Sequence, residues 1–212
     1  MIIKIVKNII KKIRIKTNKL GSKKRSKRLK NNYTLISNNC WGGLTYEYLN
    51  QEFISPTIGL YFFSKDYLKF ISNLKYYLSL ELSFIDTKDS IYYEYLCKIN
   101  QENVIIGKLD NVEIVFLHYK TKEEAFYKWE KRKNKVNYDR IVYKFNDQNL
   151  CTEDDLICFN NLDLKNKICF TAKEYNYPNF IYMRKYQGMD YVKDDAYSYH
   201  KYLDIIDYLN NL

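Results

Sequence analysis

From residue 33 onward the chain alternates short apolar runs with segments of helical periodicity, and this alternation limits its fold more than any other feature. The runs YTLIS (33–37), TIGLYFF (57–63) and EIVFL (113–117), with those at 141–145, 167–171 and 179–184, have the length and composition of buried strands. Between them, residues 65–80 put Tyr67, Leu68, Ile71, Leu74 and Leu78 on one helical face, with Ser64 as cap. Residues 121–135 begin with Thr121 and Glu124 in capping-box spacing. Further helices are predicted at 41–50, 152–160 and 198–212, and one or two strands within 90–109, with Gly107 near a turn. Strands that alternate with helices bury both faces of a mainly parallel sheet. The expected class is therefore α/β, a single three-layer Rossmann-like domain over 33–212.

Charge divides the chain at the start of that domain. Of its 35 Lys and Arg, 13 lie in residues 1–32, which carry no Asp or Glu, leaving 22 basic and 25 acidic residues in 33–212. A net +10 is thus a basic tail on a body of −3, which argues against a protein that wraps nucleic acid over its whole surface. Within the tail, Ile2, Val6, Ile9, Ile13 and Leu20 share one stripe and most lysines fall elsewhere. This predicts a basic amphipathic N-terminal helix that lies on an anionic membrane surface or packs its isoleucines on the body, with nucleic acid or another acidic polymer as the least favoured partner. Residues 21–32 read as a linker. At about 1 kcal/mol per cation near an anionic leaflet, half of the tail's charges would hold the protein there.

Five cysteines, an odd number without C-x-x-C spacing, suit a reducing compartment, and only two histidines make a zinc site an unpromising reading. With no run of about 18 apolar residues and no secretory leader, the expected location is cytoplasmic, peripheral on the inner face of the plasma membrane.

In open parallel sheets ligands gather beyond the carboxyl ends of the strands. Two such ends carry reactive side chains. After the first strand come Ser37, Asn38, Asn39, Cys40, Trp41, Gly42 and Gly43. Asn amides offer paired donors and acceptors, the glycines let backbone N–H groups approach an anion, and a thiol at a helix start is favoured as thiolate. The alternative is a small buried thiol beside a tight turn. His118 and Tyr119 end the run at 113–117, where the imidazole could act as general base to Cys40. Trp129 and Arg132, three apart on one helix, suit stacking on a sugar and pairing with phosphate, or a core Trp beside a solvated Arg. Ser55 could line the same crevice. Neither a G-x-G-x-x-G fingerprint nor a P-loop is present.

The motifs ISNNCWGG (36–43), SPTIGL (55–60), FLHY (116–119) and KWEKR (128–132) occur in an order that resembles a bacterial exopolysaccharide-biosynthesis-like family classed as a domain of unknown function. The resemblance covers residues 30–212. It implies a role in exopolysaccharide or capsule synthesis, beside membrane-associated glycosyltransferases. The Asn39-Cys40 strand end is also distantly similar to capsule acetyltransferases with a Gly-Asn-Cys-Gln motif, although Ser37-Asn38 and Trp41 depart from it. The resulting expectation is acyl transfer to a saccharide or its nucleotide- or lipid-linked precursor, with coenzyme A or a nucleotide sugar as co-substrate. A non-catalytic sugar- or nucleotide-binding partner of glycosyltransferases is the alternative.

Overall fold

A computed structural model describes residues 21–212. The amphipathic helix expected over residues 2–20 lies outside the described residues. The elements in chain order are α1 (Ser22–Arg28), β1 (Thr34–Ser37), α2 (Trp41–Leu49), α3 (Ser64–Ser72), α4 (Leu74–Ser79), β2 (Ser83–Ile85) and α5 (Tyr93–Lys98). There follow β3 (Ile105–Leu109), β4 (Val112–Phe116), α6 (Lys122–Lys133), β5 (Ile141–Asn146), α7 (Glu153–Asn161), β6 (Lys167–Thr171), β7 (Phe180–Tyr182), α8 (Asp195–Ser198) and α9 (Ile205–Asn210).

The class is α/β, built on two sheets. Strands β1, β5, β6 and β7 form a parallel sheet in the order β1-β5-β6-β7. Side chains alternate between two cores, as the pleat requires. Ile36, Ile141, Phe145 and Cys169 enter one core, and Leu35, Val142, Ile168 and Phe170 enter the other. The first core also takes Phe62, Phe70, Ile114, Phe116 and Trp129, so it joins α3, α6 and a second sheet to one face of the first. The other face is covered by α2 and the C-terminal segment through Trp41, Tyr46, Ile206 and Leu209.

That second sheet corrects the expectation of a single mainly parallel one. Strands β2, β3 and β4 pair antiparallel, and β3 and β4 are joined through Asp110 and Asn111, with Asp110 at φ 51°. Two-residue hairpin loops favour this left-handed backbone, which Asp and Asn tolerate. The run 113–117 therefore belongs to a hairpin, not to a strand–helix–strand crossover. The run 57–63 contributes only a bridge between Tyr61 and Val115. Gly107 sits inside β3, where a Cβ would come within 2.5 Å of Phe116 Cε2. The helix predicted at 65–80 breaks at Asn73 (φ −140°, ψ 57°), and the closing segment is divided among short helical turns.

Residues 22–28, read as linker, form α1 and dock on the body. The Arg25 guanidinium lies 3.8 Å from the Tyr48 ring centroid and its Nε donates to the Tyr48 carbonyl at 2.8 Å. Asn210 bridges the Arg28 carbonyl and the Lys30 amide, each at 2.9 Å. Among the described residues no helix is long and apolar enough to cross a membrane.

Candidate functional site

The parallel strands β1 and β5 end side by side, and the polar residues there are almost wholly enclosed. Lys144, at the centre of β5, has no solvent exposure. A buried ammonium needs partners. Its Nζ is ion-paired with the Asp195 carboxylate and donates to Asn39 Oδ1 at 2.9 Å and Asn38 Oδ1 at 3.2 Å. Burial pulls the Lys144 ammonium below its ordinary range, and the Asp195 charge opposes that.

The amides complete the network. Asn38 Nδ2 donates to Asn146 Oδ1 at 2.7 Å, and Asn146 Nδ2 donates to Asp195 Oδ2 at 2.8 Å. Asn39 Nδ2 donates to Asp195 Oδ1 at 3.0 Å and to Gln148 Oε1 at 3.1 Å. Asp147 accepts from the Val192 and Ala172 amides at 2.8 and 2.6 Å, and burial still raises its carboxyl above the usual range. Gln148 Nε2 donates to the Lys193 carbonyl at 2.9 Å. Segment 192–196 is thus laced to the ends of β1 and β5 by side chains, and it walls a cleft.

That cleft has a volume of about 300 Å³, and its lining includes Asn39, Cys40, His118, Gln148, Asp195 and Tyr197. Half-buried Cys40 directly precedes α2, and His118 lies two residues beyond β4, its amide donating to the Gly59 carbonyl at 3.0 Å. Cys40 and His118 therefore face one space. The imidazole arrives from the hairpin sheet, not from the carboxyl end of a parallel strand.

The other predicted residues divide. Asn39 lines the cleft, while Asn38 and Ser37 lie beneath it, with Ser37 Oγ donating to the Asn39 carbonyl at 2.9 Å. Trp41 is enclosed, 6.1 Å from Phe170 and 5.4 Å from Tyr199 between ring centroids, and does not reach ligand space. Gly42 and Gly43 serve packing: a Cβ would stand 3.3 Å from the Leu35 carbonyl oxygen in one case and 3.3 Å from Ile58 Cγ2 in the other. Neither glycine is among the residues that line the cleft. Ser55 is buried and turns on Thr57, with their hydroxyls 3.0 Å apart. Trp129 is a core residue between Phe70 and Phe116, which corrects the stacking role. Tyr119 donates to the Ile58 carbonyl and accepts from Arg132 Nη1 at 2.8 Å, and Arg132 opens into a different pocket.

Lys144, Asn146, Gln148 and Asp195 were not among the expected site residues. Lys144 had a legible signal: a lysine in the middle of the apolar run IVYKFN (141–146) must either end the strand or be neutralised inside the fold. Asp195, 51 positions away, has no such mark.

A family model described as "Domain of unknown function (DUF1919)" matches residues 9–212. An uncharacterized protein of Haemophilus influenzae (strain ATCC 51907 / DSM 11121 / KW20 / Rd) is 32% identical over 181 residues, 83% of this chain and 82% of that protein. A match over almost the whole chain is decisive for kinship, and it includes both sheets and the cleft: the chain belongs to the family of the domain of unknown function DUF1919.

Proposed function

We propose that the cleft binds a saccharide, or its activated precursor, and transfers an acyl group to it in bacterial exopolysaccharide or capsule synthesis. The observation that carries this reading is the meeting of Cys40 and His118, 78 positions apart, in one cleft at the end of the parallel sheet. Cys40 Sγ would attack the carbonyl of an acyl thioester such as an acyl coenzyme A, with its proton passing to His118. The donor thiol leaves with that proton. A sugar hydroxyl then gives its proton to His118 and attacks the Cys40 thioester, restoring the thiol. Asn39 and Gln148 amides, already oriented by the buried network, would hold hydroxyls. The basic segment 1–32 would keep the enzyme at the inner membrane face, next to lipid-linked precursors; exposed Lys23, Lys24, Lys27, Arg28 and Lys30 support this.

A second reading keeps the ligand and drops the chemistry. The amides of Asn39, Gln101, Gln148 and Asn149, with Tyr61 and Tyr197, make a wall suited to sugar recognition without turnover. The two readings separate on incubation with an acyl coenzyme A. Acyl transfer expects an acylated Cys40 peptide by mass spectrometry, absent from Cys40→Ala, and a loss of about 100-fold or more in rate for His118→Asn. Saccharide binding that survives Cys40→Ala, with no adduct and no turnover in the wild type, would leave only the binding partner.

A further inference from the structure

Arg132, Lys128, Lys131 and Lys135 line a second, open pocket of about 210 Å³ along the C-terminal half of α6, closed by Glu52 and Phe53. It shares no lining residue with the cleft. Four cations face one carboxylate, and Glu52 is already ion-paired with Lys135. This excess stands on a body whose residues 33–212 sum to −3, so it is not part of a uniformly basic surface. Lys131 and Arg132 lie in the last turn of α6, where cations are ordinarily favoured, but Lys128 and Lys135 lie outside that turn. Lys133, in the same turn, instead pairs with Glu130 at 2.7 Å.

Arg132 distinguishes the pocket from a row of solvated lysines. Its Nη1 donates to Tyr119 Oη at 2.8 Å and to the Ile58 carbonyl at 3.4 Å, and its guanidinium carbon lies 5.4 Å from the Phe53 ring centroid. The fork is therefore fixed before any ligand arrives, which lowers the ordering cost of binding. A positioned guanidinium matches phosphoryl oxygens in plane, and flexible ammonium groups add point charge around it.

We propose that this pocket is a phosphoryl-binding site for a diphosphate or closely spaced phosphates, carried either by a free ligand or by a lipid headgroup. It stands apart from the acyl-transfer reading and would survive an inert Cys40. The test uses the full chain with inorganic pyrophosphate in isothermal titration, and phosphatidylglycerol vesicles against phosphatidylcholine vesicles in co-sedimentation. Saturable pyrophosphate binding is expected. It should weaken at least about ten-fold in Lys128→Glu/Lys131→Glu, and by a smaller factor in the milder Lys128→Gln/Lys131→Gln pair. The control Lys88→Glu/Lys98→Glu changes the net charge equally at exposed lysines outside the pocket and should leave binding within about two-fold. A parallel loss of phosphatidylglycerol binding in the pocket variant identifies a lipid-borne phosphate; unchanged vesicle binding identifies a free one. Absence of saturable pyrophosphate binding, or equal weakening by pocket and control variants, overturns the site.

Discussion

At the scale of single residues, the five cysteines differ by environment alone. Cys97 and Cys158 are exposed, Cys40 is half-buried at the cleft, and Cys169 is enclosed. Burial pushes the Cys151 thiol up to about 12 and the Cys169 thiol well above its usual value. Because the thiolate is the reactive form, iodoacetamide at pH 8 should label Cys97 and Cys158 first and leave Cys151 and Cys169 unmodified until the protein unfolds. Peptide mapping over time checks this, and early labelling of Cys151 would contradict its raised thiol. Under the proposed function, a saccharide ligand is expected to slow labelling of Cys40 alone. The sequence singled out Cys40 and set the other four in apolar contexts as structural, yet Cys97 and Cys158 are exposed, since burial is set by which distant side chains close over each one.

At the scale of elements, local chemistry fixes the ends of helices and the interior of the hairpin. Thr152 and Asp155 form a reciprocal capping box at the start of α7, the Thr152 side chain accepting from the Asp155 amide and the Asp155 carboxylate from the Thr152 amide. Thr152→Ala should cost about 1 kcal/mol in urea denaturation. Gly107→Ala should cost more, about 1–3 kcal/mol, because the new Cβ meets Phe116 Cε2 at 2.5 Å and Leu82 Cδ1 at 2.9 Å. If Gly107→Ala proves neutral in the same measurement, β3 does not pack on Phe116 as described. Capping signals such as Thr121 with Glu124 were legible because both partners lie within one turn. The Asp110-Asn111 turn is equally local, but the sequence reading sets the turn near Gly107, which lies inside β3, and so misses the hairpin. The hydrophobic run 57–63 misled because apolar content specifies burial, not pairing: Phe62 and Phe63 are buried side chains of a largely irregular segment.

At the scale of the whole molecule, one buried pair ties the parallel sheet to the wall of the cleft. Lys144 and Asp195 belong to β5 and α8, and the charge of each is neutralised by the other. Lys144→Met leaves the Asp195 carboxylate enclosed without its cation and should cost about 3–5 kcal/mol, whereas adding Asp195→Asn should recover part of that loss. Urea denaturation of both variants tests the pair; equal stability of the single variant and the wild type would mean that the carboxylate reaches solvent. Asp147 adds a pH dependence of opposite sign to that of a salt-bridged acid. Its carboxyl is raised in the fold by burial, so between its unfolded value and the raised one the native state holds the extra proton. Its contribution is present below the unfolded value and is lost as pH rises through the folded one, which a comparison of wild type with Asp147→Asn across pH 3–7 would isolate. The sequence by itself determined the α/β class, the alternation that buries both faces of the parallel strands, the starts of α2, α3, α6 and α7 and the segregation of charge into residues 1–32, because each is set by neighbours within a few positions. Only the tertiary structure decided that two sheets form, that Trp41 and Trp129 are core, that Cys40 and His118 share a cleft, and that Lys144 finds Asp195. The cleft, the Trp41 packing and the Lys144–Asp195 pair depend on partners more than 50 positions apart, where the deciding term is which buried charges and apolar faces can be satisfied together, and no local pattern encodes that.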